Sequence, residues 1–167
     1  MLIRAEEPRD WAAVHAVNVS AFETPAEANL VDALRDQAQP LVSLIAEDDG
    51  AIVGHIMFSP VSLAGHPTLK IMGLAPMAVA PEHQRKGIGS ALVRAGLEQC
   101  GRLGFGAVVV LGHPAYYPRF GFSPSARLGI ACEYEVPEEV FMVVELDAGV
   151  LRGASGKVRY HAAFSNV

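Results

Sequence analysis

A chain of 167 residues that is 51% apolar and 19% charged is long enough for one well-buried core and too apolar for a disordered tract. Its net charge of -5 argues against nucleic-acid binding by bulk electrostatics. No window reaches ~18 uninterrupted apolar residues, and no basic start leads into a long apolar segment, so neither a membrane partner nor export is expected. Cys100 and Cys132 are too few and too far apart for a disulfide framework or a C-x-x-C site, which predicts reduced thiols in a cytoplasm.

Leu2 to Ala5 reads as a first strand, closed by Glu6, Glu7 and Pro8. Asp10 then stands as N-cap of a helix carrying Trp11, Val14, Val17 and Val19, and Pro25 to Gln37 spaces Ala28, Leu30, Val31 and Leu34 as a second helix. Leu41 to Ala46 and Ala51 to Phe58 are β-rich runs flanking Glu47-Asp48-Asp49-Gly50, whose Asp-Gly step predicts a hairpin. The second run continues towards Leu63, with Pro60 marking an edge or a bulge. Lys70 to Ala80 supplies a further strand after the Gly65-His66-Pro67 loop.

Beyond Gly89, the residues Ser90, Arg94, Glu98 and Arg102 form a narrow polar stripe on an otherwise apolar cylinder, which predicts a helix buried against a sheet. Gly104 stops it, and Ala107 to Leu111 is a continuous apolar run suited to a strand covered on both faces. Strand, helix and strand at this spacing make a βαβ unit, so the sheet is mixed and the fold α/β. His113 to Phe122 predicts one or two helical turns and then a strand or bend. Val140 to Leu146 is the last strong strand and Val158 to Phe164 a weaker one, with no linker or repeat, so one domain is expected over residues 1–167.

Met77 to Val93 is the stretch that carries chemistry. An apolar run stops at Pro81, passes Arg85 and Lys86, and opens a helix bearing Gly87 and Gly89. Unpaired N–H groups of a helix's first turn, beside two cations and with glycines leaving room, suit an anion, and a phosphate group above all. A Walker A loop would need its lysine after the last glycine, whereas Lys86 precedes Gly87. A dinucleotide fingerprint would need a third glycine where Leu92 stands and a carboxylate closing the next strand, which runs instead into Gly112 and His113.

The run from Gln84 to Leu92 resembles the Gln/Arg-x-x-Gly-x-Gly/Ala acyl-CoA-binding motif of the GCN5-related N-acetyltransferases, the GNAT family. Met77-Ala78-Val79-Ala80-Pro81-Glu82 resembles that family's fourth strand and turn, and Tyr116-Tyr117-Pro118-Arg119-Phe120-Gly121-Phe122 resembles its second signature, aromatic-Tyr-x-x-x-Gly-Phe. The segment from Leu111 to Tyr117 is similar to a bacterial subgroup of predicted acetyltransferases whose acceptors are generally unassigned. The resemblance covers nearly the whole chain. It implies a GNAT-like mixed, mostly antiparallel central sheet with helices on both faces and a βαβ acyl-CoA-binding unit.

It also implies that main-chain groups of Met77, Ala78 and Val79 hold the pantetheine arm of acetyl-CoA, one N–H polarising the thioester carbonyl. The pyrophosphate would sit on the N–H groups of Gln84, Arg85, Lys86, Gly87, Ile88 and Gly89, with Ser90 adding a hydroxyl. Tyr117 would be the general acid for the leaving thiolate, since a phenol is protonated at neutral pH, and Tyr116 would take the packing position. The family often places an Asn where Val110 stands here.

The base for the incoming ammonium stays open among Glu23, Glu27, His55 and His113. The other histidines, His15, His66, His83 and His161, lack metal-like pairing, so no metal is expected, and the cluster Glu133, Glu135, Glu138 and Glu139 reads as a solvated loop. The implied function is an acetyl-CoA-dependent N-acetyltransferase that moves the acetyl group directly to a primary amine of a small molecule or peptide. An acyl-CoA-binding or sensor module with weak or absent turnover is the alternative. Family members are often homodimers, and no segment of this sequence decides the oligomeric state.

Overall fold

The computed structural model of the protein describes residues 1–167. In chain order the elements are β1 (Leu2–Ala5), α1 (Trp11–Ala21), α2 (Ala26–Gln37), β2 (Val42–Asp48), β3 (Ala51–Leu63), β4 (Ile71–Val79), α3 (Ile88–Arg102), β5 (Ala107–Leu111), β6 (Ser123–Pro124), β7 (Ile130–Cys132), β8 (Phe141–Glu145) and β9 (Gly156–Arg159). They form a 9-stranded sheet in the order β1-β2-β3-β4-β5-β8-β6, with β9 pairing the far end of β3 and carrying β7. The β4–β5 and β7–β9 pairs are parallel and the others antiparallel.

Helices cover both faces, and the alternation of side chains along the strands decides which residue meets which helix. Leu44, Ile56, Phe58 and Leu74 share one cluster with Leu92, Val93 and Cys100 of α3. Their neighbours Ile45 and Met57 pack on the opposite face with Val14 of α1 and Leu30, Val31 and Leu34 of α2. Gly96 is the closest approach of α3 to the sheet, because a Cβ there would lie 2.1 Å from Cε1 of Phe58. No helix is long and apolar enough to cross a membrane.

Most expected elements stand where the apolar spacing puts them, Pro60 at a local edge included, and two differences have local causes. Asp10 makes no side-chain cap to α1. Its carboxylate accepts from the Glu7 amide at 2.8 Å and from Arg4 at 2.7 and 3.0 Å, because a 3-10 turn over Pro8–Asp10 already leads into the helix. Pro60 sits on the side of β3 where β2 has ended at Val42 opposite Phe58 and β9 has not begun at Ser62, so its missing N–H costs no ladder bond. The last strand stops at Arg159, and Ala162–Asn166 winds into a 3-10 turn capped by the His161 ring, which accepts from the Ala163 amide at 3.0 Å.

Candidate active site

β4 pairs with β5 only from Ile71 to Leu74, opposite Ala107 to Val110, yet it runs on to Val79. Its register with β3 slips at the same place, since Ile56 faces Met77 and Phe58 faces Leu74, leaving Ala75 and Pro76 together opposite Met57. Two residues against one is a bulge, which bends its strand. The edge of β4 turned away from β3 therefore has no strand partner beyond Leu74, and the main chain of Met77, Ala78 and Val79 borders the opening.

The turn after β4 supplies a second row of free main-chain groups. Arg85 (φ 64°) and Gly87 (φ 85°) are both left-handed, and such a turn aims neighbouring amides to one side as an anion nest. The amides of Arg85, Lys86, Gly87, Ile88, Gly89 and Ser90 donate to no main-chain acceptor, and the first bond of α3 is Ala91 to the Gly87 carbonyl at 3.0 Å. The side chain of Gln84 donates from Nε2 to the Val79 carbonyl at 3.0 Å and so ties the turn to the end of β4. Arg85 and Lys86 are exposed, while the Ile88 side chain is buried in the core and anchors the helix start.

Gly89 is helical, and a Cβ there would lie 3.4 Å from both the Met77 Cε and the Tyr116 hydroxyl, an ordinary contact. The protein itself thus leaves room at this position, which looks onto β4. The Ser90 hydroxyl lies 3.0 Å from the Tyr116 hydroxyl, so it already has a partner and links the first signature to the second. Arg119 stacks over Tyr116 at 4.4 Å and Arg94 over Phe120 at 5.1 Å. These two further cations beside the opening are not marked by either motif.

Tyr117 begins a 3-10 turn that Gly121 closes with a left-handed φ of 95°. Its ring meets Tyr116 and Phe122 edge-on, at 5.0 and 5.6 Å between centroids. It also lies flat against Gly112, where a Cβ would come within 2.2 Å of Cε2. Sequence reasoning passed over Gly112, and its only signal is a glycine directly after a buried strand. Burial, with Tyr116 second, pushes the phenol up to about 12, so it stays protonated throughout the neutral range. Val110, where the family often has Asn, is buried and paired with Leu74 and Met142, and offers no polar contact.

Tyr117, Met77 and Leu111 share one cavity of about 710 Å³, which reaches to Glu27 at the start of α2. This separates the four candidate bases. Glu27 lines the cavity with Tyr117, whereas Glu23, His55 and His113 do not. Glu23 is exposed in the α1–α2 connection. His113 is exposed and its ring accepts from the Ala115 amide at 3.1 Å, a turn cap. His55 is wholly buried, with Nδ1 3.1 Å from Nδ2 of Asn18 and Nε2 2.9 Å from Oγ of Ser43. Because Asn18 Nδ2 also donates to the Val14 carbonyl, it is the donor to Nδ1, which assigns the His55 proton to Nε2. Burial holds this ring down at about 4 and keeps it neutral. Burial likewise pushes the Cys100 thiol up to about 12, in a helix packed on the sheet, which makes it a poor nucleophile.

A strand that bulges and runs on past its parallel partner, followed by a helix start lined with free amides, is the architecture of an acetyltransferase. The model of the Acetyltransferase (GNAT) family matches residues 10–122, and the chain belongs to that family. It is 39% identical over 166 residues to the Escherichia coli "Uncharacterized N-acetyltransferase YhbS", covering 99% of both chains. The crystal structure of that E. coli protein in complex with CoA superposes with a TM-score of 0.92 at 38% identity, over 98% of this chain and 91% of that one. A GNAT acetyltransferase from Brucella melitensis in complex with acetyl-CoA aligns with a TM-score of 0.79 at 36% identity, over 98% and 97% of the two chains.

Proposed function

We propose that the protein transfers the acetyl group of acetyl-CoA directly to a primary amine of a small molecule or peptide, as one domain over residues 1–167 working in the cytoplasm. The observation that carries this reading is the order of unpaired groups along the chain: the free amides of Arg85 to Ser90 follow the end of β4, whose outer edge has no strand partner beyond Leu74, and Met77 of that edge neighbours Gly89 and lines the cavity that holds Tyr117. Acetyl-CoA has the same sequence of chemistry, from pyrophosphate through an amide-bearing arm to a thioester.

In this reading the amides from Arg85 to Gly89 hold the pyrophosphate, with Arg85 and Lys86 adding charge, Gln84 fixing the turn and Ser90 bracing it through Tyr116. Met77, Ala78 and Val79 pair with the pantetheine arm, and one of their N–H groups donates to the thioester oxygen as negative charge grows there. Tyr117 donates its hydroxyl proton to the departing sulfur. A phenol near 12 does not remain as phenolate beside a thiolate whose acid lies near ~8.5, so its loss is matched by uptake of the proton that the nitrogen sheds. Positioning and main-chain polarity supply the catalysis, with no covalent enzyme intermediate.

Incubation with acetyl-CoA and a panel of amines, read by thiol release and by the mass of the product, tests the proposal. Turnover with at least one primary amine, reduced about tenfold or more in kcat by Tyr117→Phe, is expected. Binding of acetyl-CoA with no turnover across the panel would instead identify an acyl-CoA sensor.

A further inference from the structure

Beyond the thioester end, the cavity becomes a chamber of distinct chemistry. Phe22, Tyr134, Tyr160 and Phe164 wall it, and Glu27 carries its one charged side chain. Three of these rings form a tilted cluster, with Tyr134 to Tyr160 at 5.8 Å and 30° and Tyr160 to Phe164 at 5.0 Å and 50°. The cluster is pinned at Tyr160, whose amide donates to Oε1 of Glu133 at 2.7 Å and whose ring fills the space that a Cβ on Gly73 would need, at 2.9 Å.

Glu27 Oε1 is shielded from solvent and has no hydrogen-bond partner. A carboxylate oxygen withheld from water without a donor is costly, and the Glu27 side chain, which lines the chamber, relieves that cost by turning to a cation there. Placement in the first turn of α2 accounts for an acid at this position through the helix dipole. It does not account for an oxygen turned from water beside an apolar chamber.

Resting on the acetyltransferase reading above, we propose that the acceptor is a monoamine carried on an aromatic or bulky apolar body, an arylalkylamine in chemical class, with Glu27 as the anchor of its ammonium. The aromatic wall takes the flat apolar body and attracts the cation through ring faces. The same chamber disfavours three other amine classes. A polyamine would bring further ammonium groups with no second acidic side chain to meet them, and an amino acid would bring a carboxylate where no cationic side chain lines the wall. An amino-sugar would bring several hydroxyls to a lining that is mostly apolar, where Ser165 is already committed to the Ala162 carbonyl at 2.8 Å and the phenols of Tyr117, Tyr134 and Tyr160 are the other hydroxyls.

Glu27 takes one proton from the ammonium, and the freed nitrogen lone pair forms the C–N bond to the thioester carbonyl carbon. As the C–S bond breaks, its electron pair leaves with sulfur. Tyr117 passes a proton to that sulfur while the nitrogen gives up its second. The proton on Glu27 returns to solvent, so ammonium and thioester become amide, thiol and one released proton.

The test uses the full chain with acetyl-CoA and measures kcat and KM for 2-phenylethylamine and tryptamine against spermidine, glucosamine and lysine. The arylalkylamines are expected to exceed the other three by about tenfold or more in kcat/KM. Glu27→Gln is expected to raise their KM by about tenfold, with Glu27→Asp recovering part of it, while the CoA dissociation constant by calorimetry stays unchanged. Equal or better turnover of spermidine, glucosamine or lysine, or an unmoved KM in Glu27→Gln, overturns the substrate class and leaves acetyl transfer standing. Acetyl-CoA binding without consumption of any amine overturns acetyl transfer, and this inference with it.

Discussion

The two ends of the cleft are built from different materials. The end nearest α3 is main chain, consisting of an unpaired strand edge and a run of free amides within the contiguous stretch from Met77 to Ser90. The opposite end is side chain, assembled from Phe22 and Glu27 near the α1–α2 connection, Tyr117 after β5, and Tyr134, Tyr160 and Phe164 from the C-terminal third. Main-chain recognition needs only a local backbone shape, so it survives wide changes in side-chain identity. Recognition by side chains depends on every element that brings them together, and so acceptor choice is the property a family can vary while keeping its donor.

The sharpest way to break this comparison is Gly89→Glu, which places a carboxylate against the proposed pyrophosphate site. Like charges brought together cost several kcal/mol, so CoA affinity should fall by about 1,000-fold, ~4 kcal/mol, in calorimetry, with the melting temperature held. Retained affinity would remove the cradle from the donor site.

Acid should act on the packing of α1 and α2 against the sheet. Asn18 bonds His55 across the α1–β3 contact, and Arg35 of α2 pairs with Glu6 beside it at 2.9 and 3.0 Å. Burial lowers His55 to about 4 from 6.5, with Glu6 raising it and Arg35 lowering it in smaller measure. The unfolded chain thus takes up this proton below about 6.5 while the native one resists until about 4, so stability is full above that window and falls as pH drops through it, by on the order of 3 kcal/mol. Glu6, where bonds from Arg35 and Ser43 outweigh burial to lower its pKa, adds a loss in the same direction at more acid pH. Denaturant titrations across the window should show this slope, and His55→Gln should flatten its upper part.

Gly112→Ala tests whether Tyr117 belongs to the chemistry rather than to the core. A methyl group 2.2 Å from its ring must displace it, and overpacking of this kind costs ~2 kcal/mol. Loss of about tenfold or more in kcat with CoA affinity retained is expected if the ring is displaced from the sulfur, whereas an unchanged kcat would make the tyrosine structural. The smallest effect belongs to Gln84→Ala, which removes one hydrogen bond to Val79. Loss of ~1 kcal/mol, about fivefold in CoA affinity, with no change in acceptor KM, would sharpen the division between the two ends.

Legibility in the sequence followed the same division. The βαβ unit, the hairpin at Asp49-Gly50 and the buried α3 were readable because apolar periodicity and turn chemistry are local, and Gly87 needs its left-handed φ of 85° wherever the turn is found. The limit showed at Asp10, where local cap chemistry was overtaken by Arg4 from a neighbouring strand. It showed again at Ser90, whose hydroxyl is held by Tyr116 from a segment beyond the next strand.

By itself the sequence determined the strand–turn–helix that carries the free amides, because glycine conformation and helix-start polarity are properties of consecutive residues. Only the tertiary structure separated Glu27, which lines the cavity with Tyr117, from Glu23, His55 and His113, which do not. Whether a carboxylate or ring faces an apolar chamber, a buried network or water depends on elements far apart in the chain, and packing alone placed Glu27 opposite the aromatic wall.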